Sequence, residues 1–399
     1  MAFLRNDAVN RVNLHSGIQA LAQGAGGIFF LVFLLRSGVS IPAALLAMAA
    51  ILAGRFVFRP ALLPLARRYG LKPLIIVGTL GVALQYPVLA EVQGVGGALV
   101  ALCIVSALGD IFYWPSYHSY FAAIGDAEHR GHQLGAREAL TAVVNVVAPL
   151  LGAWALVTLG PRWMFAATGL VQAAAIIPLL GAPNVAVKQH APGALRAARL
   201  SIAIIAADGW FDACFIFVWQ IALFVSLGED IPAYGGAMAL AGLVGAVCGL
   251  LLGRHIDAGH GRRAVIIVSV MATILVLMRA TSLGSPWLAV IANALGALLW
   301  PLLIPVVGTA MYNMAKASPC PFRFHLATEG AWDIGCFAGC LVAAALSASG
   351  FSLAIALVLG LPGIAAGMAL LWRYYSQHAN ELSERAGPDI SPIGSGMER

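Results

Sequence analysis

Charge is what this sequence lacks. Only 10% of its 399 residues are Asp, Glu, Lys or Arg, against about a quarter in an ordinary soluble domain. Breaks in hydrophobicity are nearly as rare: 61% of the chain is hydrophobic and the mean hydropathy is +0.89. Uncharged apolar runs of about 18 residues or more recur from end to end, each long enough to cross roughly 30 Å of hydrocarbon. Such segments exclude a soluble domain. They predict an all-α polytopic protein of the lipid bilayer.

Other absences narrow the chemistry. There are six cysteines and no CxxC pair, so the expectation is buried free thiols, neither disulfides nor a metal centre. GxxxxGK[ST] is missing, which excludes a Walker loop and ATP as the direct energy source. No nucleophile–base set lies at membrane depth, so no enzyme is expected, and no cofactor. The net charge of +6 does not indicate nucleic acid, because the basic residues sit in short loops where they set topology. The polar start MAFLRNDAVNRVNLH runs into a long span without a small-residue cleavage motif, and reads as an uncleaved first helix.

Glycine, proline and charge divide the chain into twelve spans. The first six lie at about 14–35, 41–65, 73–91, 97–122, 135–158 and 162–180; the second six at about 200–227, 233–253, 264–283, 286–312, 323–347 and 351–373. Residues 1–180 therefore form one six-helix bundle and 200–374 another. The stretch 181–199 is a polar linker, and 375–399 reads as a disordered tail. With the N-terminus inside, only Arg36, Arg162 and Arg279 of the 23 basic residues fall outside. That asymmetry places both termini and the linker in the cytoplasm, in a cytoplasmic (inner) membrane.

The halves repeat. Ile41-Pro42 matches Ile231-Pro232, GLKPLIIV at 70–77 matches GRRAVIIV at 261–268, Trp114-Pro115 matches Trp300-Pro301, and Glu138 matches Glu329. The matches come in order at a nearly constant offset. Six helices duplicated in parallel is a transporter architecture. Between spans 8 and 9, GRHIDAGHGRR supplies Gly253, Asp257, Gly261, Arg262 and Arg263; between spans 2 and 3, LPLARRYGLKP has Arg67 where an aspartate would complete the same pattern. This loop pattern resembles the GxLaDrxGrr signature of the major facilitator superfamily, over essentially the whole chain. The resemblance implies that spans 1, 4, 7 and 10 line a central cavity and that Asp257 contacts a neighbouring basic helix end.

Inside the spans stand a few carboxylates. The run AIIAADGWFDACFIF (203–217) holds Asp208 and Asp212, about 12 and 18 Å deep counting from Leu200. Their i,i+4 spacing puts them on one helix face. Asp110 in span 4 and Asp333 in span 11 count to similar depth. Intramembrane charge usually marks an ion or substrate path; the alternative is a structural ion pair, with Arg55 or Arg279 as partner. Two carboxyl groups short of water and close together do not readily both ionise, so the pair can hold and release a proton. His15, Gln19 and Gln23 form a polar stripe in span 1, and Asn293 adds to span 10. Trp114, Tyr117, Trp210 and Trp300 could supply an apolar pocket. Arg55, Asp257, Arg262, Arg263, Glu138, Glu329 and Asp333 read as gating residues. His129 and His132 have metal-like spacing without further ligands, and no metal site is assigned.

The expectation is a monomeric secondary transporter that moves a small organic solute by proton-coupled export. Uptake of a metabolite, including an anion held by Arg55, is an alternative. So is metal-ion export through Asp208, Asp212 and His15. A non-transporting receptor or assembly factor on the same fold would carry large added loops, and every loop here is short.

Overall fold

A computed structural model describes the backbone of residues 6–124, 130–252 and 261–386; the side chains of 130–140, 249–252 and 378–386 lie outside the description. Asp257 falls outside it, as do the side chains of Glu138 and His132. The described chain is helical without strands. Its twelve apolar spans are Asp7–Arg36, Ile41–Tyr69, Leu71–Ala90, Gly97–Ile124, Thr141–Thr158, Pro161–Leu180, Arg199–Ser226, Ile231–Cys248, Gly261–Ser282, Pro286–Ala317, Pro321–Ala348 and Leu353–Gln377, numbered 1 to 12. They follow the sequence-derived spans closely. One difference lies at the C-terminus. The last helix continues to Ala386, past the Tyr375 at which a disordered tail was expected to begin. Tyr374 and Tyr375 anchor that extension: Tyr375 donates a hydrogen bond to the Val306 carbonyl at 2.7 Å, and Tyr374 is buried.

Spans 1 to 6 and spans 7 to 12 pack as two bundles, joined chiefly by span 5 on span 8 and span 2 on span 11. An even number of spans puts the start of span 1 and the linker at one end of the molecule, the linker end. At the opposite end both halves share one core, including Phe29 and Leu34 of span 1, Ala153 of span 5, Phe224 of span 7, Tyr234 of span 8 and Ala343 of span 11. Tyr234 donates to the Ile28 carbonyl across that seam. At the linker end the cores are separate. One gathers Val9, Leu62 and Tyr120 with Cys320, Phe322 and Leu326 from the other half, and the other gathers Ile204, Val265, Leu303 and Leu371. Outward faces are apolar, and Trp163 and Trp287, at the span starts farthest from the linker, are 74% and 80% exposed. Indoles at that level are typical of a membrane interface.

Two local features position the polar groups. Gly209 of span 7 meets the Trp332 carbonyl of span 11, and Gly335 meets the Ala206 carbonyl in return. A Cβ at either place would collide with backbone, so small residues let these helices touch. Directly after Asp212, span 7 widens into a π-helical segment, Ala213–Val218. Such segments often accompany functional sites.

Candidate functional site between the halves

The charged side chains of spans 2, 4 and 11 meet where the halves touch. Arg55 and Arg59 are one turn apart on span 2, and Glu329 and Asp333 are one turn apart on span 11. The i,i+4 spacing gives each pair a common face, and those faces oppose each other. Arg55 Nε lies 2.9 Å from Asp333 Oδ1, its Nη1 3.2 Å from Asp110 Oδ2 and its Nη2 4.0 Å from Glu329 Oε2. Arg59 Nη2 pairs with Asp333 Oδ2. The Arg55 side chain is 7% exposed and that of Asp333 0%. Charges so buried survive only when paired. Among the described residues, two guanidinium groups face three carboxylates, of which Glu329 is held most loosely.

Asp208 and Asp212 stand close by, on the other side of Trp332. The Trp332 indole donates from Nε1 to Asp212 Oδ2 at 2.9 Å, and the Arg55 guanidinium carbon lies 5.3 Å from the same ring's centroid. Asp212 is buried and its Oδ1 has no hydrogen-bond partner among the described residues. No cation lies within ion-pair distance of either aspartate among the described residues. Neither of the arginines considered as partners serves them. Arg55 is taken up by Asp110, Asp333 and Glu329, and Arg279 donates to the Phe215 carbonyl at 2.6 Å with its guanidinium 3.7 Å from the Phe215 ring centroid. An Arg55 so neutralised is also not free to hold an anionic solute.

The remaining candidates disperse. His15 is wholly buried in the first half, its ring nitrogens 2.7 Å from the Ala175 carbonyl and 2.9 Å from the Tyr113 hydroxyl. It does not join Asp208 and Asp212, and among the described residues no three His, Cys, Asp or Glu side chains come together to hold a metal ion. His15, Asp208 and Asp212 therefore do not make one ligand set. Gln19 is buried with Oε1 lacking a hydrogen-bond partner among the described residues, and Gln23 Oε1 lies against Gly27 within span 1. Asn293 is committed to helix packing: it accepts from Trp219 Nε1 at 3.0 Å and donates to the Ala237 carbonyl at 2.9 Å.

Nor do the four aromatics form one pocket. Trp210 turns to span 12 and donates to the Leu359 carbonyl at 2.6 Å. Trp300 packs edge-on to Phe215. Tyr117 bonds Ser16 at 2.6 Å. Trp114 and Tyr117 both stay beside the charged cluster, Trp114 stacked on His118 and Tyr117 edge-on to it, each with ring centroids 5.7 Å apart. Arg262 and Arg263 are exposed at the start of span 9.

His118, His325 and Arg59 belong to the site and were not among the expected residues. The signal for the two histidines was the stripe, Asp110, Trp114 and His118 on span 4 and His325, Glu329 and Asp333 on span 11, each at i, i+4, i+8; for Arg59 it was the i,i+4 spacing from Arg55.

The Major Facilitator Superfamily model matches residues 16–319. The chain is similar in structure to the human organic anion transporter MFSD10 (TM-score 0.66, 15% identity, covering 92% of this chain and 99% of that one). It is likewise similar to the POT family transporter PepTSo (0.68, 12%, 93% and 99%) and to the E. coli fucose:proton symporter FucP (0.63, 15%, 92% and 98%). At such identities the likeness shows a shared fold. No curated protein matches the sequence.

Proposed function

The chain belongs to the major facilitator superfamily of transporters, and on that premise we propose that it is a proton-coupled secondary transporter exporting a small amphipathic or cationic organic solute across the cytoplasmic membrane. In this reading the linker end faces the cytoplasm, which the placement of basic residues supports.

The observation that carries this reading is the buried charge cluster shared by the two halves. Arg55 of the first half grips Asp333 of the second, and the cluster holds one more carboxylate than it has guanidinium groups. Adding a proton to the loosest member, Glu329, changes the attraction between the halves. Proton occupancy and the inward–outward equilibrium are then linked, as any ligand is linked to a conformation it favours. Asp208 and Asp212, with no cationic partner among the described residues, supply the place where a proton and the cationic end of a solute compete. Competition of that kind is what exchange in opposite directions requires. Trp332 lies between the two groups and touches both.

The test is flux in proteoliposomes across a panel of organic cations, neutral amphipaths and organic anions, with and without an imposed pH gradient. We expect at least one amphipathic or cationic compound to move against its gradient when the opposite compartment is acidic. Gradient-driven accumulation of anions alone would overturn the solute class. Flux of every carried compound that ignores the pH gradient would overturn the coupling.

A further inference from the structure

The charged cluster does not end at Arg55. Spans 4 and 11 run antiparallel, and their polar stripes face each other rung by rung toward the linker end. Asp110 and Asp333 share Arg55. One turn on along span 11 and two along span 4, His118 Nε2 lies 3.6 Å from Glu329 Oε1. Beyond that, the rings of His118 and His325 stack with centroids 6.1 Å apart and planes 27° from parallel. His325 then lines a cavity of about 120 Å³ at the linker end, together with Ser119 of span 4 and Tyr312 and Lys316 of span 10. His118 keeps 41% of its side chain accessible although it lies between two packed helices. From Asp110 to His118 the ladder advances about 12 Å along the helix axis.

We propose that His325, His118 and Glu329 form a proton-binding path connecting the cavity at the linker end with the Arg55 cluster; the proposal rests on the proton-coupled reading and names the route that reading needs. The chemistry fits these side chains. A neutral imidazole accepts a proton on one ring nitrogen and gives up the one on the other, so it passes a proton on without net change. A proton taken from the cavity by His325 moves to His118, and His118 releases it to the Glu329 carboxylate, leaving both rings neutral again. Two imidazolium rings this close repel each other, and Lys316 beside the cavity adds to that repulsion. The histidine pair therefore holds a single proton. Among the described residues, Arg55 and Arg59 of span 2, Asp110 of span 4 and Asp333 of span 11 are the other charged groups facing the path, and Tyr117, edge-on to His118, and Tyr312 are its phenols. The three carboxylates draw the proton inward, and the two arginines prevent the full cluster from carrying more than one.

The full-length protein labelled with 15N-histidine, in lipid nanodiscs, tests this directly by titration of the imidazole nitrogens from pH 4 to 9. His118→Gln and His325→Gln assign the two signals, and size-exclusion profiles confirm that each variant is folded. We expect the two rings to titrate as one coupled step, with replacement of either changing the proton affinity of the other. Glu329→Gln should weaken proton binding by the pair about tenfold, whereas Glu91→Gln, at the opposite end of the molecule, should leave it unchanged. Independent titration of the two rings, or a pair indifferent to Glu329→Gln, would overturn the path. A shared proton in a protein whose flux ignores pH would leave the path standing and remove the coupled-transport reading instead.

Discussion

Arg55→Met should destabilise the protein by about 3–5 kcal/mol, the cost of stranding buried charge when one partner of a pair is removed. Methionine fills much of the volume, so packing is nearly kept and the loss is electrostatic. Asp333, with 0% side-chain exposure, would retain only Arg59, and Asp110 would lose the one cation within ion-pair distance of it among the described residues. Because Arg55 and Asp333 belong to different halves, the effect reaches beyond one bundle: the joint between spans 2 and 11 should loosen. The measurement is thermal unfolding in detergent, followed by tryptophan fluorescence. The second half of the test is a compensating change. Adding Asp110→Asn to Arg55→Met removes one of the stranded carboxylates and should recover part of the loss. A melting temperature unchanged in Arg55→Met would show that the cluster is solvated and holds nothing together.

Asp208→Asn and Asp212→Asn should behave in the opposite way. Neither aspartate has a cationic partner among the described residues, so neutral replacement strands nothing. An asparagine at 212 can still accept from Trp332 Nε1 through its side-chain oxygen. The variants should therefore melt at or above the wild-type temperature. Coupling should be lost in the double variant, with gradient-driven flux falling at least tenfold while the purified protein stays monodisperse. A double variant that accumulates solute like the wild type would remove both residues from the mechanism. Loss of several kcal/mol of stability would instead mark them as structural.

The contrast between these two sets of residues could be only partly read from the sequence. Hydropathy and the loop signature were enough for twelve spans and two halves, because helix length and burial in lipid are local properties of a run of residues. Depth was legible too: Asp110, Asp208, Asp212 and Asp333 all count to mid-span. What sets their roles is which helix faces which, a property of the packed bundle. Depth alone does not choose among four aspartates as a partner for Arg55, and it is the contact of span 2 with span 11 that gives it to Asp333.

The same reasoning separates Trp332 from Trp210. Both are indoles beside carboxylates in the chain, yet Trp210 faces span 12 and Trp332 faces Asp212. His15, Gln19 and Gln23 made a convincing stripe, but in span 1 a stripe can point to the interior of its own bundle, and the His15 bonds to Ala175 and Tyr113 show that it does. The stripe ending in His118 and the one beginning at His325 were as visible in spacing. Their significance came only when spans 4 and 11 were set side by side.

In the proposed mechanism the surplus carboxylate in the cluster ties proton binding to the movement of the halves. Glu329→Gln tests it most directly, because glutamine imitates the protonated side chain and leaves two guanidinium groups facing two carboxylates. Two fluxes are measured on the same proteoliposomes with a compound that the wild type carries: exchange of labelled for unlabelled solute at equal pH, and accumulation driven by a pH gradient. We expect exchange within threefold of wild type and gradient-driven accumulation reduced to background. A folded Glu329→Gln protein that still accumulates solute at the wild-type rate would contradict it.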